Sequence, residues 1–90
     1  MRYYYHGTIQ ARWEAIQSAG RLKAPVFMFD DDELASLFAE RTAEIEDDVP
    51  VVLRLDLKGF RVYEDPTAPF IEVAHTTRRD VPIELIEEVA

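Results

Sequence analysis

Tyr3-Tyr4-Tyr5-His6-Gly7-Thr8 is the stretch whose reading decides the fold. Consecutive aromatic rings sit better on a pleated, half-buried strand than in the crowded turn of a helix. Threonine suits a helix N-cap, because its hydroxyl accepts a hydrogen bond from an orphan amide of the first turn. The run therefore predicts a strand over 2–6, a turn at His6-Gly7 and a helix begun by Thr8. At such a strand-to-helix turn, a glycine lets a ligand approach the backbone closely. The histidine beside it points into the same space.

Outward from this stretch, Ile9, Trp13, Ile16 and Gly20 recur at helical spacing. That predicts one apolar stripe on a helix reaching about Ala19, with Gly20 as its C-terminal stop. Leu22-Lys23 begins a short extended piece, limited by Pro25. Val26-Phe27-Met28-Phe29 reads as a short buried strand. Asp30 followed by Glu33 resembles a capping box and predicts a second helix to about Glu44. On that helix Leu34, Leu37, Phe38 and Arg41 share one side, flanked by Ala35 and Ala39. The aspartates at its start meet the positive end of the helix dipole, so capping accounts for them and no metal site is expected.

Val51 to Leu57 alternates, with Val51, Leu53, Leu55 and Leu57 on one face and Val52, Arg54 and Asp56 on the other. This is the clearest strand signal in the chain. Lys58-Gly59 is a turn, Phe60 to Tyr63 and Phe70 to His75 are expected strands, and Thr76 to Asp80 is a polar connection. Pro82 to Val89 fits both a strand and a helix; the favoured reading is a strand with a short helical turn. Two early helices followed by several strands imply an α+β fold with a mostly antiparallel sheet, one domain over 1–90.

The chain is 48% hydrophobic, enough for a packed core, and carries no cysteine, which excludes disulfides and thiolate chemistry. No apolar run approaches the ~20 residues that cross a bilayer, and the start shows no secretion signal, so a cytoplasmic protein without a membrane partner is expected. The formal net charge is −8, which disfavours nucleic acid as a partner. The charge is uneven: Asp30 to Asp48 is strongly acidic, while Arg54 to Arg61 and Arg78-Arg79 are locally basic. The acidic stretch fits a basic protein partner or a mimic of DNA; a solubilising surface is the plainer alternative. There is no Gly-rich phosphate loop, metal-spaced histidine pair or Ser-His-Asp order.

Three segments carry a resemblance when taken together. They are Tyr5-His6-Gly7-Thr8, then Val26-Phe27-Met28-Phe29-Asp30 with its alanine-containing helix, then Phe70-Ile71-Glu72-Val73, which sets a carboxylate in an apolar run. In this order and spacing the chain resembles the ADP-ribosyltransferase superfamily, on the His-Tyr-Glu branch that includes the poly(ADP-ribose) polymerases. Val51 to Leu57 looks like the central strand of small relatives, and Asp80 to Ile86 like their closing segment. The resemblance covers roughly Tyr4 to Ile86 and implies an ADP-ribosyltransferase-like fold. It also implies NAD as the substrate, nicotinamide as a product, and a protein or small molecule as the ADP-ribose acceptor.

Residue by residue, the resemblance implies that His6 hydrogen-bonds the adenine-side ribose of NAD. The backbone of Gly7, next to Thr8, pairs with the nicotinamide carboxamide, and Phe27 stacks on the nicotinamide ring. Glu72 holds the nicotinamide-side ribose and stabilises the charge that develops as nicotinamide leaves, making Glu72 and His6 the expected catalytic pair. Arg21 and Lys23 are the expected partners of the NAD phosphates. The chain departs from the pattern in having Phe27 where tyrosine is usual, and in its short length. Those departures favour an alternative: a non-catalytic module of the same fold, an inhibitor or immunity factor binding a protein through Asp30 to Glu46. A relative that transfers a 2′-phosphate from RNA carries more basic residues, and the charge here argues against that activity.

Overall fold

The computed structural model describes residues 3–65 and 74–89. The elements follow as β1 (Tyr3–Ile9), α1 (Gln10–Ala19), β2 (Arg21–Leu22), β3 (Val26–Met28), α2 (Asp32–Glu46), β4 (Pro50–Asp56), β5 (Tyr63–Asp65), β6 (Ala74–Thr77), β7 (Val81–Pro82), a 3₁₀ turn (Ile83–Leu85) and β8 (Ile86–Val89). Among the described residues this is a small α+β domain with two α-helices and antiparallel pairings: β1-β4-β8, β2-β7 and β3-β6-β5. Among the described residues no helix is long and apolar enough to cross a membrane.

The opening stretch is all strand. Residues Tyr3 to Ile9 pair in unbroken register with Asp56 to Pro50, so His6 and Gly7 lie in mid-strand rather than at a turn. Thr8 is buried opposite Val51 and does not cap a helix. Helix α1 starts at Gln10 instead, with Ile9 in the extended N-cap position and no side-chain cap of its own. Its orphan amides are met from across the chain: Ala11 N–H donates to Asp48 Oδ2 at 3.1 Å, and Gln10 N–H to the Val49 carbonyl at 3.0 Å. The threonine cap lost to a longer ladder and to a carboxylate supplied by tertiary contact. The C-terminal stop at Gly20 holds, in the left-handed conformation that glycine takes without strain.

In helix α2 the cap is Asp31, whose carboxylate accepts from Glu33 N–H at 2.8 Å, so the box expected at Asp30 and Glu33 is shifted by one residue and becomes a simple N-cap. The buried stripe is Ala35, Ala39 and Ala43, while Leu37 is 61% exposed. Of the side that carries Leu34, Leu37, Phe38 and Arg41, Leu34 and Phe38 are half buried against the cluster of Phe29, Ala35, Ala39 and Val52, and Leu37 faces outward. The cause is Gly7. A methyl group built there would sit 2.2 Å from the Ala35 carbonyl oxygen, so the helix backbone lies directly on the bare glycine. Only small residues permit that approach.

Sheet β1-β4-β8 separates two apolar layers. One side buries Leu53, Leu55 and Val51 with Trp13, Ile16, Met28 and Val81; the other buries Val52 with Ala35, Ala39 and Phe29. The Trp13 indole N–H donates to Glu88 Oε1 at 3.0 Å, which fastens α1 to strand β8. The turn at Lys58-Gly59 is present, but Phe60 folds back into the core, so the next strand begins at Tyr63 rather than Phe60. Strand β6 runs through Thr77 into what reads in the sequence as a polar connection. The ambiguous end resolves as β7, one 3₁₀ turn and β8, which matches the strand-with-turn reading. Most of the expected Phe70–His75 strand lies outside the described residues.

Candidate functional site

Strand alternation places His6 and Thr8 on the α1 side of β1 and Gly7 on the α2 side. A cleft of ≈ 370 Å³ opens on the α1 side. His6 and Thr8 form its floor, Arg12, Ala15, Ile16 and Ala19 of α1 one wall, and Arg21, Leu22 and Lys23 the other. Ala15 and Ala19 leave the hollow; larger side chains at those positions would fill it. Four residues expected at an NAD site, His6, Thr8, Arg21 and Lys23, are thus brought together.

The electrostatics of this cleft oppose those of the chain as a whole. Arg12, Arg21 and Lys23 line it in a protein of net charge −8. Arg12 pairs with Glu46 at 3.3 Å and Arg21 with Asp80 at 3.4 Å, both in half-exposed positions. Such exposed pairs contribute about 0–1 kcal/mol and are readily exchanged. Lys23 makes no ion pair among the described residues.

His6 is held in one tautomer. Its Nδ1 lies 2.6 Å from the Phe27 carbonyl oxygen, which can only accept, so Nδ1 carries the proton. Burial pushes the imidazole below its ordinary range, opposed by the Phe27 carbonyl and reinforced by the Arg12 charge. The ring is accordingly neutral at pH 7, and Nε2 keeps a lone pair that accepts a hydrogen bond.

The backbone beside it is also poised. Tyr5 and Phe29 exchange both backbone hydrogen bonds, at 2.7 and 2.8 Å. Since antiparallel bonding alternates, Tyr5 and Gly7 direct their N–H and C=O away from β4, toward this edge. Continued pairing would bring Phe27 opposite Gly7, but only the Tyr5–Phe29 bridge forms. The Phe27 carbonyl goes instead to the His6 ring, and β1 and β3 part there. The N–H and C=O of Gly7 have no partner among the described residues. On the neighbouring strand β6, the buried atoms His75 Nε2 and Thr76 Oγ1 also lack a hydrogen bond among the described residues. Thr76 is the Cα partner of Phe27. A buried polar group left unpaired costs about 1–3 kcal/mol.

The Phe27 side chain is 47% exposed and does not line the cleft; its carbonyl, not its ring, meets His6. The glycine at position 7 is demanded by the seating of helix α2, a reason for it that the sequence reading did not contain. Glu72 lies outside the described residues. Arg12 was missed in the sequence, although its spacing of three, four and seven from Ala15, Ile16 and Ala19 would have placed it on the cleft side of α1. Among the described residues no cluster of His, Asp and Glu is arranged to hold a metal ion. No family model, curated protein or solved structure matches the chain.

Proposed function

We propose that the protein binds NAD in the cleft between β1 and α1 and acts as a small ADP-ribosyltransferase-like enzyme. The observation that carries this reading is the convergence of His6, Thr8, Arg21 and Lys23 on one hollow lined by three cations. Its volume of ≈ 370 Å³ is at the lower end of the roughly 300–1,000 Å³ of ligand pockets, which suits the adenosine diphosphate part of a dinucleotide. His6 Nε2 accepts from a ribose hydroxyl, and Arg12, Arg21 and Lys23 neutralise the diphosphate. The free backbone edge of Gly7 supplies a donor and an acceptor, the complement of a carboxamide, and the exposed ring of Phe27 stacks on nicotinamide. The Glu72 carboxylate stabilises the positive charge that grows on the ribose as nicotinamide departs; the acceptor's nucleophile, or water, then takes that carbon. Preorganised charge of this kind is worth about 10²–10³ in rate.

The test is nicotinamide release from NAD, followed by chromatography, with calorimetry for binding. The wild type should release nicotinamide, Glu72→Gln should lose about 10²-fold or more, and Arg21→Gln with Lys23→Gln should weaken NAD binding. Absence of both binding and release by the wild type ends the proposal.

A second reading, a protein-docking module, is favoured by the outer side of helix α2. Its outer side exposes Leu37 and Ile45 at 61% and 81%, and Val49 follows at 61%. Residues 30–48 contain nine acidic residues against one basic, so this segment carries the whole net charge of −8. Exposed apolar side chains set among carboxylates, with Arg41 between Leu37 and Ile45, fit a basic amphipathic helix of a partner protein. A synthetic Leu/Lys amphipathic peptide should shift the amide resonances of this face, and Leu37→Ser with Ile45→Ser should abolish the effect. Shifts that survive the double substitution refute it.

A further inference from the structure

Six of the described arginines divide into two sets. Arg12, Arg21 and Arg54 each contact a carboxylate, on Glu46, Asp80 and Glu87. Arg61, Arg78 and Arg79 make no ion pair among the described residues, yet all three border one cavity of ≈ 210 Å³ with Gly59, Tyr63 and Thr77. Two of them are fixed by aromatic rings. The Arg78 guanidinium lies 4.3 Å over the Tyr63 ring and that of Arg79 lies 4.2 Å over Phe60. Stacking holds a guanidinium by its face and leaves its edge N–H donors free to point outward. Gly59, whose missing side chain would meet nothing within 4 Å, leaves the rim open. Three like charges repel one another, and folding has gathered them where no described carboxylate compensates. An anion that bonds to all three relieves that repulsion.

We propose that this cavity, at the base of the β5–β6 hairpin and separate from the β1–α1 cleft, binds a phosphate group. The volume takes one phosphate with its nearest substituent, and planar guanidinium forks match its oxygens two at a time. Free phosphate and the phosphate of a small ester present the same chemistry, so the experiment separates them. The proposal does not depend on the NAD reading, because none of its residues lines the cleft used there.

The full chain is titrated with inorganic phosphate, and in parallel with adenosine monophosphate, at constant ionic strength and followed by amide and arginine side-chain NMR. Saturable shifts are expected at Gly59, Arg61, Thr77, Arg78 and Arg79. They should be stronger at pH 7.5, where phosphate is mainly the dianion, than at pH 5.5. Each of Arg61→Gln, Arg78→Gln and Arg79→Gln should weaken binding by roughly tenfold or more, as expected for loss of a charge-assisted bond. Arg21→Gln and Lys23→Gln should leave it unchanged. Tighter binding of the ester assigns the site to a phosphate ester, and equal or weaker binding to free phosphate. The proposal is overturned if neither ligand saturates these resonances. It is equally overturned if the shifts persist in the triple variant, shown by circular dichroism to be folded, or appear only at His6 and Arg21.

Discussion

Replacing Gly7 with alanine isolates the contact on which the whole helix arrangement rests. The added Cβ would lie 2.2 Å from the Ala35 carbonyl oxygen, 3.0 Å from the Ala39 amide nitrogen and 3.2 Å from the Ala35 carbonyl carbon. A carbon and an oxygen normally approach to about 3.3–3.6 Å, so α2 must withdraw by about 1 Å. No rotamer change relieves the clash, because all three atoms are backbone. A withdrawal of that size forfeits roughly a quarter to a half of the dispersion energy at each contact between Ala35, Ala39, Val52 and Phe29. Overpacking of this kind costs about 1–3 kcal/mol, and the absence of a yielding side chain puts this site at the upper end. Domains of this size lose about 4–8 °C of Tm per kcal/mol, so a fall of about 12–24 °C is expected in a thermal melt followed by circular dichroism. Gly20→Ala is the control: its Cβ meets nothing within 4 Å, and only the left-handed backbone, at φ 78°, is strained. That strain costs about 1–2 kcal/mol. If Gly7→Ala proves no more costly than Gly20→Ala in urea or thermal unfolding, the close seating of α2 on β1 is refuted.

Asp31→Ala should destabilise by about 1 kcal/mol in urea unfolding, whereas Asp30→Ala should do little, because only Asp31 accepts the first-turn amide. Leu53→Ala, at a fully buried position, should cost about 2–5 kcal/mol, and Leu37→Ala, at an exposed one, under about 0.5 kcal/mol; comparable losses would contradict the outward placement of Leu37 on α2. His6 should titrate below its ordinary value of 6.5 in an NMR experiment. Because the unfolded chain takes up that proton more readily than the folded one, the stability that neutral His6 confers is complete above about pH 6.5. It is lost as pH falls from there through the folded-state value. A His6 that titrates at or above 6.5 would mean that burial of the ring does not outweigh the Phe27 carbonyl, which favours the charged form.

Much of the architecture can be read directly from residue order. The alternation from Val51 to Leu57 marks the central strand, the Gly20 stop ends α1, and Pro82 to Val89 contains the turn its mixed periodicity suggests. Local chemistry misled at Thr8 and, by one residue, at the cap of the second helix. Thr8 is a sound cap in isolation, but pairing with Val51 offers it a ladder partner and a buried position, and Asp48 serves α1 instead. On α2 only alanines fit against Gly7, so Leu34 and Phe38 pack at the margin of that contact and Leu37 faces outward. The cleft was half visible: His6, Thr8, Arg21 and Lys23 can be named from their segments, while Arg12 enters through the facing of α1.

What the linear chain determined alone is periodicity and punctuation: which segments extend, which coil, where glycine and proline end them, and that acid concentrates over residues 30–48. What only the folded molecule decided is which face of each element turns inward, whose carboxylate caps whose helix, and which cations meet. The reason is range. Backbone preference is set by a residue and its near neighbours, whereas burial and charge pairing are set by whatever surface folding brings within a few ångströms, often more than thirty residues away, as Asp48 is from Ala11.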